Sequence, residues 1–275
     1  MRRRRLRLDL GAELMNALFA GLFDDAAIFP PGNLPMGEAV AAHRARQGSP
    51  LVGPFVCSLA RFDELARSDE PARFEEPARS TDGPDLDVSL VLPGPVDELP
   101  VAEGIRIVAL EGPALDGGAL TTYTEIACTE VTATRVAALR DAGLRLKIRT
   151  GGVRADAFPS EAELAGAIWA AVRGGLAFKL TAGLHDPIRH RDPVTGFEHH
   201  GFLNVLLATA RALQGYAIER ALADQDGDRV AAAVAGIDDV LAKAVRHHFI
   251  SFGTCSIDEP VAGLRRYGLI SEATL

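Results

Sequence analysis

Residues 144–152 read LRLKIRTGG, and residues 176–183 read LAFKLTAG. Each stretch alternates apolar and other side chains as a strand does, carries one lysine, and runs directly into threonine and glycine. Lysine is among the residues least often fully buried, so two of them at matching depth in neighbouring strand-like runs require a reason. In a parallel sheet covered by helices, the face turned to the helices must be apolar. Leu144, Leu146 and Ile148 supply that face in the first run, which turns Arg145, Lys147 and Arg149 the other way. Leu176, Phe178 and Leu180 do the same in the second and leave Ala177, Lys179 and Thr181 opposite.

Working outward, short apolar runs alternate with longer alanine-rich helical stretches, the signature of a parallel α/β fold. Strands are expected at 27–29, 51–58, 86–92, 105–111, 123–128, 144–149, 176–181 and 249–253. Eight strands in a chain of 275 residues favour a closed (β/α)8 TIM barrel over an open doubly wound sheet, and no G-x-G-x-x-G follows the first strand. The barrel is expected to take the whole chain, 1–275, as a single domain. A helix at about 9–22 precedes it, and the plainest later helices fall at 161–173, 201–224 and 229–247. Helices after the third and fourth strands are weakly marked. Residues 66–85, which include a duplicated E-P-A-R, are rich in proline and charge and read as a mobile excursion. A long polar loop follows strand seven at 183–200.

Composition narrows the partners. With 48% hydrophobic residues, 24% charged residues and a formal net charge of -8, the chain fits a globular protein and lacks the basic balance of a nucleic-acid or anionic-membrane binder. The basic start MRRRRLRL is followed by Asp9, Glu13 and Asn16 where a signal peptide needs an apolar run, and no apolar stretch reaches bilayer length. Cys57, Cys128 and Cys255 are odd in number and widely spaced, which predicts reduced thiols in the cytoplasm. A small-molecule substrate is the expected partner, with a homo-oligomer left open.

The same alternation selects the side chains that face the barrel axis. Ser251 and Gly253 turn inward on the last strand, Asp87 and Ser89 on the third, and Glu125 shares a face with Tyr123 on the fifth. Glu111 ends the fourth strand, and the carboxyl ends of barrel strands form the active-site mouth. Its direction is left open, because it shares a face with Ile107 and Ala109. A buried ion-pair network, with Glu111 and Glu125 neutralising Lys147, Arg149 and Lys179, is one explanation of this charge. An active site for a small anionic substrate is the other.

Two lysines together offer specific chemistry. A protonated lysine is a poor nucleophile, but a nearby cation and an apolar wall favour the neutral amine, which can attack a carbonyl and form an iminium. Here the chain resembles the class I aldolases of the deoxyribose-phosphate aldolase type, which are (β/α)8 barrels using Schiff-base chemistry. The likeness lies in Lys147-Ile148-Arg149-Thr150-Gly151, in Phe178-Lys179-Leu180-Thr181-Ala182-Gly183 and in Phe252-Gly253-Thr254-Cys255-Ser256, three short motifs in the second half. It implies that Lys147 is the nucleophile, Lys179 its partner, and the backbone around Gly183, Gly253 and Ser256 a cradle for an anion such as phosphate. The chain departs from the family where Ala182-Gly183 carries one glycine instead of two.

An independent reason for a cradle is the helix start at Asp258-Glu259-Pro260, whose first amides are free to meet an anion. Substrate contacts are therefore expected from Arg149, Glu111, Thr150, Gly151, Gly152, Thr181, Gly183, Ser251, Gly253 and Ser256. Catalytic roles fall to Lys147, Lys179, Glu125 and His185.

The loop 183–200 holds four of the seven histidines, and His185, nearest the strand end, is the first choice for acid-base work. Neither H-E-x-x-H nor H-x-H occurs, so neither a metal nor a cofactor is expected. Cys255 lies near a helix start without an evident base in the sequence. Two other functions fit the same mouth: acid-base isomerisation or metal-assisted hydrolysis using Glu125, Lys179 and His185, and metabolite binding without catalysis.

Overall fold

The structure is a computed structural model that describes residues 17–68, 85–271 and 274. Eight strands close into an all-parallel barrel: β1 (Phe23–Asp25), β2 (Val52–Ser58), β3 (Leu86–Val91), β4 (Ile105–Gly112), β5 (Thr121–Ile126), β6 (Arg145–Arg149), β7 (Phe178–Thr181) and β10 (Phe249–Thr254). They follow one another around the barrel in chain order, and β1 closes it by pairing with both β2 and β10. The expected α/β barrel is thus present, with seven of the strands at the predicted places.

The first strand differs. It is Phe23–Asp25, and the predicted run 27–29 lies in the turn beyond it. Two of its three residues are acidic, so a search for apolar runs passes over it; Ala27 and Ile28 are buried beside the strand instead of within it. Of the helix expected at 9–22, residues 17–19 are helical and the part before 17 lies outside the described residues. Most of the 66–85 excursion, from 69 to 84, also lies outside them; residues 66–68 belong to a helix.

The covering helices are α1 (Met36–Ala45), α2 (Phe62–Ser68), α3 (Ala133–Asp141), α4 (Glu161–Arg173), α5 (Phe202–Leu213), α6 (Glu219–Ala223), α7 (Gly227–Ala235), α8 (Asp239–His248) and α9 (Asp258–Arg266). No helix follows β3 or β4, in line with the weak signal there. Helix α4 begins where predicted because Ser160 and Glu163 form a reciprocal capping box. The two long helices expected after strand seven are each broken. Gly215, at a φ of 80°, follows the end of α5. Past Gly236, Asp238 caps a new helix by accepting a hydrogen bond from the Leu241 amide.

The loop after β7 is not irregular throughout. β8 (His190–Arg191) and β9 (Glu198–His199) pair as a small antiparallel hairpin, whose turn is fastened by Asp192 accepting from the Val194 and Thr195 amides. The His190 and His199 rings stack across it with centroids 5.1 Å apart. Its far end is anchored by buried Arg189, His200 and Asn204; the Arg189 amide donates to Asn204 Oδ1 at 2.8 Å. No described helix is long and apolar enough to cross a membrane.

Candidate active site

The predicted inward side chains converge inside the barrel. Lys147 and Lys179 are direct cross-strand partners on β6 and β7, and both are buried. Lys147 Nζ lies 2.9 Å from Glu111 Oε2 and 3.0 Å from Glu125 Oε2. Lys179 Nζ lies 2.5 Å from Glu111 Oε1 and 2.5 Å from Asp24 Oδ2. Glu111 therefore points inward and bridges the two ammonium groups, one to each oxygen. Ser89 donates to Glu111 at 2.5 Å and Ser251 to Asp24 at 2.7 Å, while Arg149 Nε donates to Glu125 Oε1 at 2.9 Å. The Tyr123 ring lies 5.2 Å from the Lys179 ammonium, a cation–π distance.

Asp24 was not among the residues expected in the site. Its strand is only three residues long, but alternation within it separates the two acids. Asp24 turns to Lys179, and Asp25 turns outward to His43 on α1 at 3.1 Å. Asp87, expected to face the same interior, instead pairs with Arg106 at 2.6 Å near the opening ends of β3 and β4, away from the lysines.

Burial and pairing oppose each other at every member of this cluster. Burial works to neutralise Lys179, but Asp24 and Glu111 outweigh it and hold the ammonium charged well above the usual lysine range. Burial likewise works to protonate Glu111, yet Lys179 and Lys147 keep it ionised far below the usual carboxylate range. Glu125 is lowered in the same way, with burial overcome by Lys147 and Arg149. Asp24 is raised, because burial exceeds the help from Lys179 and the Glu111 charge adds to it.

The threonines and glycines beyond the lysines have a packing role. Thr150 is fully buried; its amide donates to Thr181 O at 2.9 Å and its hydroxyl to Ala182 O at 2.6 Å. A side chain on Gly183 would stand 2.8 Å from Thr150 O, and one on Gly151 would stand 2.7 Å from Gly183 Cα. The exit loops of β6 and β7 are thus pressed together, and Thr150, Gly151 and Gly183 fix this junction. Gly152 is exposed beyond it. Thr181 and Gly253 are paired across β7 and β10 at the mouth. Ser256 accepts from the Glu259 amide at 3.4 Å and so helps to start α9.

A cleft of about 520 Å³ lies near the cluster but is not lined by either lysine. It opens beside the ends of β5 and β6, and Glu125 and Arg149 are the members of the cluster that line it. Glu125 therefore joins the cleft to Lys147, which it meets at 3.0 Å. Asp156 and Glu163 also line the cleft, but Asp156 pairs with Arg154 and Glu163 caps α4.

His185 does not join the lysine cluster. Its contacts are Glu259 at 2.9 Å, Thr254 at 3.5 Å and Cys255 at 3.8 Å, in another sector of the mouth. The sequence revealed no basic side chain beside Cys255; the structure brings His185 there from 70 residues away in the chain. No group of three or more metal-ligating side chains suited to an ion occurs among the described residues. Comparison with family models, with curated proteins and with solved structures finds no match.

Proposed function

We propose that the protein is an aldolase-type lyase that acts on a small carbonyl compound through a Schiff base at Lys147. One observation carries this: the two lysines share Glu111, but their remaining partners differ in kind. Lys179 is closed in by a second buried carboxylate, Asp24. Lys147 leans on Glu125, which is partly exposed and shared with Arg149 at the cleft. Asp24, Glu111 and Glu125 balance Lys147, Lys179 and Arg149 charge for charge, so neutralisation accounts for both lysines alike, and what sets Lys147 apart is that its carboxylate Glu125 also lines the cleft.

The chemistry follows from that asymmetry. An anionic group on the substrate draws Arg149 away from Glu125, whose basicity rises as it loses a cation. Glu125 then takes a proton from Lys147, and the free amine adds to the carbonyl carbon as the carbonyl π pair moves to oxygen. A proton passes from nitrogen to that oxygen. Glu125 returns its proton, water leaves, and an iminium remains on Lys147. The positive charge has moved from ammonium to iminium without leaving the reach of Glu111 and Glu125, so the same preorganised counter-ions serve both states. Glu125, ionised again, takes the proton of the substrate's β-hydroxyl, and the bond between the α and β carbons breaks. Its electron pair enters the iminium, giving an enamine and a departing carbonyl fragment. Lys179 stays charged and fixes Glu111. The free thiols of all three cysteines support a cytoplasmic setting.

Borohydride reduction in the presence of pyruvate, acetaldehyde and dihydroxyacetone phosphate in turn, followed by peptide mass mapping, tests the proposal. At least one of these is expected to leave a reduced adduct on Lys147, and Lys147→Met is expected to abolish it while remaining folded. No adduct on Lys147 with any of the three rejects Schiff-base chemistry at this site.

A further inference from the structure

We propose that Cys255, His185 and Glu259 form a second reactive centre at the barrel mouth, in which the Cys255 thiol adds to an aldehyde and holds it as a thiohemiacetal. The choice of aldehyde rests on the carbonyl chemistry proposed for Lys147; the nucleophile rests on geometry alone.

Cys255 is the first residue past β10, next in the alternation that turns Ser251 to Asp24 and sets Gly253 beside Thr181. Its Sγ lies 3.8 Å from His185 Nε2 and 3.9 Å from Nδ1. Glu259 Oε2, in the first turn of α9, takes His185 Nδ1 at 2.9 Å, so Nε2 is the nitrogen left to face the sulfur. Nucleophile, base and orienting carboxylate thus stand in order, at the looser spacing usual before a ligand closes such a site.

The scaffold around them is tight. Thr254 Oγ1 donates to Ser256 O at 2.9 Å, and Ser256 accepts from the Glu259 amide, which fixes the turn between thiol and carboxylate. A side chain on Gly32 would stand 3.0 Å from Cys255 Cβ, so the loop after β1 runs directly against the cysteine. The thiol therefore lies on the rim formed by β1, β7 and β10, the strands that carry Asp24, Lys179 and Ser251. Cys255 and His185 are both only partly buried, which leaves them open to a small solute.

The other two cysteines show the contrast. Burial pushes the Cys57 and Cys128 thiols up to about 12, and among the described residues neither is hydrogen-bonded to a histidine. His185 is raised above the usual histidine range, first by the hydrogen bond with Cys255, against burial, and then by the Cys255 and Glu259 charges. That direction favours the imidazolium which forms when His185 takes the thiol proton.

The addition balances without a co-reactant. The thiol proton passes to Nε2, a sulfur lone pair forms the C–S bond to the aldehyde carbon, and the π pair moves to oxygen. His185 then returns the proton to that oxygen. Nothing is oxidised or reduced, no group leaves, and reversal releases the aldehyde.

Timed labelling with iodoacetamide and peptide mapping reads the three cysteines separately. Cys255 is expected to react at least about tenfold faster than Cys57 and Cys128, and His185→Gln to slow it by about tenfold. Glu259→Gln is expected to slow it less, and thermal unfolding checks that both variants remain folded. Millimolar glycolaldehyde should protect Cys255 in the wild-type chain and equally in Lys147→Met, where no iminium can form at that position. Equal labelling of Cys255 in wild type and folded His185→Gln overturns the proposal, as does protection that is absent or that disappears in Lys147→Met. Failure of borohydride trapping at Lys147 with Cys255 still protected rejects the Schiff base alone.

Discussion

Glu111 receives Ser89, Lys147 and Lys179, and its direction was the one feature of the cluster that alternation left open. Counting by twos along β4 puts Glu111 on the face of Ala109 and Ile107. A register shift separates them: Ile107 pairs with Val88 but Ala109 pairs with Ser89, so one extra residue on β4 lies between neighbours on β3. Such a bulge sends Ile107 and Ala109 to opposite faces and carries Glu111 inward with Ser89. Pairing between strands, absent from any single run, decided this residue. The lysines needed no such help, since each sits between leucine, isoleucine or phenylalanine neighbours that must face helices.

His200 allows a test at the same scale. Burial, then the neighbouring Arg189, lowers it to about 4, and its Nε2 donates to Pro159 O at 2.8 Å while its Nδ1 accepts from Arg189 at 3.3 Å. Folding therefore favours the neutral imidazole. The stabilisation is complete above the unfolded value near 6.5 and is lost as pH falls from there toward 4. The loss amounts to roughly 3 kcal/mol. Urea unfolding at pH 7 and pH 4 is expected to show this extra loss in the wild-type chain and not in His200→Gln.

At the scale of elements, the paired endings T-G-G and T-A-G were visible in the sequence, but their purpose was not. They invite comparison with a phosphate cradle, and the structure adds that through them the loops approach each other to within backbone contact. Ala182 shows the strain involved: it holds a φ of 63°, and Gly183 follows at 77°. A left-handed backbone costs an alanine about 1–2 kcal/mol, while glycine adopts it freely at a greater entropic loss on folding. Ala182→Gly is therefore expected to stabilise the protein by roughly 0.5–1 kcal/mol, read as a higher urea midpoint with an unchanged slope. A lower midpoint would show that the alanine methyl contributes packing that outweighs the strain. The hairpin β8–β9 was hidden for a different reason: two residues per strand carry no periodicity.

For the whole molecule, closure depends on the shortest strand of the barrel. β1 completes the barrel between β2 and β10, and Phe23 packs its ring against Phe252 at 5.3 Å and Phe202 at 5.8 Å. The next residue, Asp24, holds Lys179, so the core contact and the site are joined through one peptide unit. Phe23→Ala is expected to cost about 3–5 kcal/mol in urea unfolding. If β1 is integral to the barrel, the transition remains single and fluorescence and circular dichroism give the same midpoint. Separate midpoints would show that the closing strand unfolds on its own.

The sequence by itself determined the number and nearly all the places of the parallel strands, the faces that Lys147, Lys179, Glu125 and Ser251 present, and the start of α4. These follow from local rules, because apolar alternation and capping act within a few residues. Tertiary structure alone decided that Asp24 and Glu111 enclose Lys179, that the glycine loops brace each other, and that His185 meets Cys255. Each of these depends on register or on a contact between distant strands, and a single run of residues carries neither.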